Sequence, residues 1–341
     1  MNKVLKFLLV SMLLVSMLVG CAPKSVGGGK LVVYSPNSDG EIEGILMYFG
    51  DKYDIEIELQ SMGTGEVLSK LAAEKENPQA DVMFGGMNLG VYNNNKDLFQ
   101  EYVAKGDDKL PEGYRNKTGF FTNYLLSGSN LLVNTDLEAE LGLDIKGYED
   151  LLDPKLKGRI AAGDPTKSSS AWAQLSNILL VMGGYDSKKA WDYVEDLAEQ
   201  LDGKMLGSSS QVYKGVSAGE YVVGLTYEDP SVSLIADGAK NLRVVYPEEG
   251  AVWLPAASAI VAGAENLDNA KLFMDFLITD ECQTIIAGLT NRPVNTTIVQ
   301  TNEFMKPFSE INLVFEDIEY VASKKTEYQA FWTEIWADSN K

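Results

Sequence analysis

Apolar and polar positions along the chain change period several times, and each change marks an element. Lys30-Leu31-Val32-Val33-Tyr34-Ser35 is a short apolar run of the kind buried on both faces of a sheet, and residues 41–51 then set Ile42, Ile45, Leu46 and Phe49 on one helical face. Residues 55–59 alternate Ile, Glu, Ile, Glu, Leu as a second strand, residues 65–76 read as a second helix, and Ala80-Asp81-Val82-Met83-Phe84 as a third strand. The result is a βαβαβ unit, which predicts an α/β fold with a largely parallel sheet and ligands beyond the carboxyl ends of its strands. Further on, Tyr124-Leu125-Leu126 and Asn130-Leu131-Leu132-Val133-Asn134 read as an extended pair about Gly128, where the chain crosses into a second lobe. Helices are expected over 172–182 and 188–201, a buried strand over 221–227, and a further apolar run over 253–261. Helical spacing at Phe308, Ile311, Val314, Phe315 and Ile318 predicts C-terminal helices.

Residues 1–20 do not read as part of that fold. Lys3 and Lys6 precede an apolar run that ends in Leu18-Val19-Gly20-Cys21, the pattern of an export leader with a lipidated cysteine at the cut. Residues 21–29, with Gly27-Gly28-Gly29, read as a flexible tether to the anchor. Cys282 is then left without a disulfide partner and is expected as a small core residue.

Charge and composition narrow the chemistry. The 341-residue chain has 49 acidic and 29 basic side chains, a formal charge of −20 that loses two further cations with the leader. Such a surface argues against nucleic acid and against adhesion to anionic lipid. No histidine is present, which removes the usual general base and the commonest metal ligand. A secreted hydrolase on this scaffold is therefore disfavoured.

The stretch Asp164-Pro165-Thr166-Lys167-Ser168-Ser169-Ser170-Ala171-Trp172 predicts a loop turning into a helix N-terminus, with Pro165 at the first helical position. Free N–H groups, the helix dipole and hydroxyls suit such an end to an anion. A cap needs one hydroxyl, and this stretch has more. Loops after the first three strands, carrying Ser35 and Asn37, then Ser61 and Thr64, then Gly85-Gly86-Met87-Asn88, are expected together at one sheet edge. A strand ending at Tyr227 delivers Glu228-Asp229.

Tyr34-Ser35-Pro36-Asn37, Gly63-Thr64-Gly65, Leu152-Asp153-Pro154-Lys155-Leu156-Lys157-Gly158-Arg159-Ile160, Asp164-Pro165 and Tyr246-Pro247-Glu248-Glu249-Gly250 together resemble the extracellular solute-binding proteins of ABC importers, in particular the ferric-iron, hexose-phosphate and 2-aminoethylphosphonate binders. The resemblance implies a two-lobed, type II periplasmic-binding-protein-like fold with ligand between the lobes. It divides the chain into a first lobe over 30–124, a second over 125–254, and a return to the first lobe with C-terminal helices over 255–341. It implies a monomer that meets a membrane permease, is held at the bilayer through Cys21, and needs no cofactor or resident metal. Ser168, Ser169 and Ser170 are assigned a phosphoryl group, supported by Ser35, Asn37 and Thr64. Tyr227 is assigned to the organic part of the ligand, Asp229 and Glu249 to its hydroxyls or amine, and Arg292 to a further fork of donors. Iron binders of this group use adjacent tyrosines, and none occur here. Ferric iron held by Tyr227 with Asp229 and Glu249 is thus the alternative.

Overall fold

In the computed structural model, which describes residues 27–339, β1 (Lys30–Ser35) pairs in parallel with both β2 (Glu56–Ser61) and β3 (Val82–Met87). The leader and Cys21 lie outside the described residues. The helical run Asp39–Glu41, Ile42–Met47, Tyr48–Tyr53, whose middle is a π-type turn, is α1; α2 is Thr64–Ala73 and α3 Leu89–Asn94. Leu31 and Val33 face a core with Ile45, Phe49 and Phe273, whereas Val32 and Tyr34 face Val67 and Leu71 on the other side. Burial on both faces is why β1 reads as an unbroken apolar run. Edge strand β2 has one covered face, so its Glu56 and Glu58 point outward and the pattern alternates.

The extended pair expected about Gly128 is instead one continuous strand, β4 (Phe121–Asn134). Its first half pairs with β8 (Ala251–Ile260), and its second half with β6 (Val223–Tyr227) and β7 (Leu242–Val245). Gly128 does not break the strand. A Cβ there would stand 2.1 Å from the Trp253 indole, so the glycine makes room for a cross-strand ring.

Beyond β4 a second layer forms from α4 (Thr135–Leu141), β5 (Ile160–Ala161), α5 (Ser169–Met182), α6 (Lys188–Gln200), α7 (Ser209–Ser217) and α8 (Glu228–Ala236). Its core gathers Leu131, Val133, Trp172, Leu175, Tyr193 and Val223. After β8 the chain returns: α9 (Leu267–Leu277) and α10 (Asp280–Gly288) bring Phe273, Phe276 and Cys282 into the first core. The fold is thus two-lobed α/β, with sheet order β2-β1-β3-β8-β4-β6-β5 running through both lobes.

Two further expectations change. Residues 308–315 form no helix: Phe308–Glu310 is a 3-10 turn, β9 (Arg292–Pro293) lies earlier against β4, and β10 (Leu313–Val314) pairs with β8, leaving Phe315 88% exposed. Among the described residues of this tail the α-helix is α11 (Ile318–Ser339), and its Val321, Tyr328 and Trp332 pack into the second core. The last glycines of the expected tether are held by the first lobe. Gly28 donates to Tyr53 O at 3.0 Å, and Asn269 Nδ2 donates to Gly28 O at 3.0 Å.

Candidate functional site

Between the lobes lies a cleft of about 640 Å³. Helices α2, α5 and α7 start at its wall, and α8, after Tyr227, and α11, at Ile318, begin there too. Thr64 opens α2 after the Gly63 cap, Ser168 caps α5, and Ser208 caps α7. Ser168 Oγ accepts from Ala171 N at 3.4 Å and lies 3.0 Å from Ser170 Oγ. Ser208 repeats the arrangement, accepting from Gln211 N at 3.4 Å with Ser210 Oγ 3.1 Å away. One hydroxyl in each triplet thus caps. The middle serine of each turns elsewhere: Ser169 Oγ lies 3.1 Å from Thr64 Oγ1, and Ser209 hydrogen-bonds the Tyr227 phenol. The helix dipoles and the first-turn N–H groups at such N-termini favour an anion.

Pro165 is not the first helical residue. It sits in a turn made by Asp164, whose Oδ1 accepts from Thr166 N at 2.8 Å and from the Thr166 hydroxyl at 2.6 Å. That turn orients the serine stretch and leaves Thr166 exposed.

Of the residues singled out from the sequence, Asn37, Thr64, Ser168, Ser169, Ser170 and Tyr227 line the cleft. Asn37 Nδ2 donates to the Tyr124 hydroxyl at 2.9 Å, and that hydroxyl donates to Glu41 Oε2 at 3.1 Å. The other four stand back. Ser35 is fully buried, donating to Phe84 O at 2.7 Å and accepting from Asn37 N at 3.1 Å, so it shapes the loop. Asp229 lies behind Tyr227, accepting from the Thr290 hydroxyl. Glu249 accepts from Glu149 N at 2.8 Å and braces the turn that follows Gly147. Arg292 directs its fork to Glu228, Nε to Oε2 and Nη2 to Oε1 at 2.7 Å each, and gives Nη2 also to Lys306 O at 2.6 Å. Its guanidinium lies against Phe308 and Trp253, 4.2 and 5.4 Å from the ring centroids, and those two rings meet edge to face.

Glu41, Ser208, Ser209, Trp172, residues 316–319, Val321 and Ala322 also line the cleft, and sequence reasoning did not place them there. The second serine triplet was a signal, since it repeats the first. Glu41 carried none, because its burial is a tertiary event. Burial, and secondly the charge of Asp229, push Glu41 up to about 8. Burial raises Tyr227 well above the usual phenol range, with Asp229 and Glu41 adding to it. Glu316 is raised to about 7 by burial. Arg115 and Lys117 stand exposed at the rim.

Comparison with known proteins agrees with this architecture. A Haemophilus influenzae protein that is itself uncharacterized is 30% identical over 323 residues, covering 92% of this chain and 91% of its own. Iron uptake protein A1 of Synechocystis is 25% identical over 304 residues, 79% of this chain and 82% of its own. Among solved structures, the periplasmic binding protein AfuA of Actinobacillus pleuropneumoniae, with exogenous fructose 6-phosphate bound, superposes with a TM-score of 0.79 at 27% identity, covering 92% of this chain and 99% of that one. The family model for bacterial extracellular solute-binding proteins matches residues 46–308. With that match, a cleft between two α/β lobes and helix N-termini facing into it, the chain belongs to the bacterial extracellular solute-binding proteins.

Proposed function

We propose that this protein is the receptor of an ABC importer, tethered outside the membrane through Cys21, and that it captures a small phosphorylated organic molecule by closing its lobes. The observation that carries the reading is the meeting of the α2, α5 and α7 N-termini in one cleft, with the Thr64 and Ser169 hydroxyls 3.1 Å apart across it. A phosphoryl group there receives N–H and O–H donors from both lobes, so its differential contacts favour the closed state. The proposed lobes divide at 30–124 and 125–254 with a return over 255–341, the crossing running through β4 and β8 and α11 riding on the second lobe. The protein works as a monomer with a membrane permease as partner. Ser168, Ser169, Ser170, Thr64 and Asn37 hold the phosphoryl end, Tyr227 packs on the organic part, and Asp229 acts from behind it. Ser35, Glu249 and Arg292 support loops and the hinge.

Ferric iron is the second reading, favoured by one observation: Tyr227 and Asp229, both hard oxygen donors, share a buried cluster with Glu41. Calorimetric titration of ligand-stripped protein separates the two. Fructose 6-phosphate or 2-aminoethylphosphonate should bind at micromolar level or tighter, while fructose and ethanolamine should not. Binding of ferric iron with a visible tyrosinate band, and of no phosphoryl compound, replaces the first reading with the second.

A further inference from the structure

The lining of the cleft carries exposed charges that have no part in holding the phosphoryl group. The first lobe contributes Arg115 and Lys117, and the second contributes Asp317 and Glu319, on either side of Ile318 at the start of α11. Among the described residues, none of the four is in an ion pair. Arg115 gives Nε to Leu110 O at 2.8 Å and senses Asp107, while Asp317 Oδ1 accepts from Tyr320 N at 3.0 Å and so caps α11.

Each group is fixed to its own lobe. Asn116, between the two cations, donates its N–H to Asp107 Oδ1 at 3.0 Å and Nδ2 to Tyr102 O at 3.2 Å. Tyr320 gives its hydroxyl to Asp186, in the loop between α5 and α6, and Val321 packs into the second core. The two groups also meet a common neighbour, α3. Phe120, a few residues after Lys117, sets its ring 5.0 Å from that of Tyr92 in α3. Gly90 of the same helix lies against α11, where a Cβ would stand 3.4 Å from Lys325 Cδ and 3.8 Å from Ala322 Cα, one turn on from Glu319.

Acids at a helix start and lysines on a surface are each ordinary. Opposite signs brought by two lobes to one cleft are not accounted for in that way. Exposed charges attract within a Debye length, about 8–10 Å at moderate salt, and the attraction strengthens as the cleft narrows and water leaves. We infer that Arg115 and Lys117 form an electrostatic clasp with Asp317 and Glu319 across the mouth of the cleft, paired when the lobes close and parted when they open. The clasp stabilises the closed state without touching the ligand, so it slows release and does not select what is bound. This rests on the lobe closure proposed above, and not on the identity of the ligand.

Carbodiimide coupling, which joins an ammonium to a carboxylate in contact with it, tests the clasp in ligand-stripped protein, alone and with fructose 6-phosphate or 2-aminoethylphosphonate. Peptide mass mapping should find Lys117 joined to Asp317 or Glu319, less at high salt and several-fold more with the compound that binds. The Lys52–Glu281 pair, which lies within the first lobe, should couple equally with and without ligand. Asp317→Asn with Glu319→Gln, which keeps a cap on α11, should abolish the link and speed release about two- to fivefold, the range of an exposed ion pair. Lys117→Glu and Glu319→Lys should each speed release, and the two together should restore it. No link while Lys52 and Glu281 couple, or a link that bound ligand does not increase, overturns the inference. So does an Arg115→Gln, Lys117→Gln variant that binds ligand more slowly and releases it at the parent's rate, because the cations would then steer the ligand. If neither compound binds, the phosphoryl reading falls, and the salt-sensitive link in stripped protein, by its presence or absence, decides the clasp alone.

Discussion

Thr64 Oγ1 and Ser169 Oγ lie 3.1 Å apart, joining the first turn of α2 in one lobe to the first turn of α5 in the other. Both are side chains at helix N-termini, so the contact gathers two dipoles and two hydroxyls at one point. Thr64→Val and Ser169→Ala should each weaken binding of the phosphoryl ligand by about 1.5–3 kcal/mol, as expected for hydrogen bonds to a charged group. The double variant should lose less than the sum, because the two hydroxyls act on the same group. Calorimetry on the four proteins measures this directly, and unchanged affinity in both single variants would remove these residues from the site.

Arg292 and Glu228 form a buried pair with side chains 4% and 3% exposed, and the Tyr246 hydroxyl also donates to Glu228 Oε1 at 2.5 Å. Removing one partner strands a buried charge. Arg292→Met should therefore cost about 3–5 kcal/mol in denaturant unfolding, while Arg292→Met with Glu228→Leu should recover much of the loss. Ligand affinity of the folded single variant should change little. A loss of binding without a loss of stability would instead place Arg292 in the site.

Lys325 on α11 lies over the Trp172 ring, 5.5 Å from its centroid, and burial alone lowers it to about 8 from 10.5. A lysine lowered on folding destabilises the native state while both states are charged. As pH rises from about 8 to 10.5 the unfolded chain keeps a proton that the folded one has released, so stability due to this group rises over that window. Lys325→Met should stabilise the protein by about 1–3 kcal/mol at pH 7. The gain should shrink by pH 10, as read from urea midpoints of the two proteins at both pH values. A variant less stable than the parent at pH 7 contradicts it.

Much of the first lobe was legible because its signals are local. The apolar run of β1, the alternation of β2 and the helical faces about Ile45 and Val67 each answer to one covered surface. The serine stretch was legible as a capped helix start for the same reason. What the sequence hid depends on partners far along the chain. Arg292 in a loop looks the same whether it meets ligand or Glu228, 64 residues away. Gly128 inside an apolar run looks like a break until the Trp253 ring is set against it. The spacing over residues 308–315 imitates a helix, but Leu313 and Val314 find a strand edge at β8 and Phe315 finds solvent. Glu41 reads as an ordinary helix-starting acid, and only the packing of Tyr124, Asn291 and Asp229 around it makes it unusual.

The most direct test of the account is the position of phosphorus in a crystal of the protein with 2-aminoethylphosphonate or fructose 6-phosphate, whichever binds. The phosphoryl group should lie where α2, α5 and α7 begin, within hydrogen-bonding distance of Thr64, Ser169 and first-turn backbone N–H groups. Phosphorus held instead by Arg115 and Lys117 at the rim, or a cleft that contains tyrosinate-bound iron and no phosphoryl group, would contradict it.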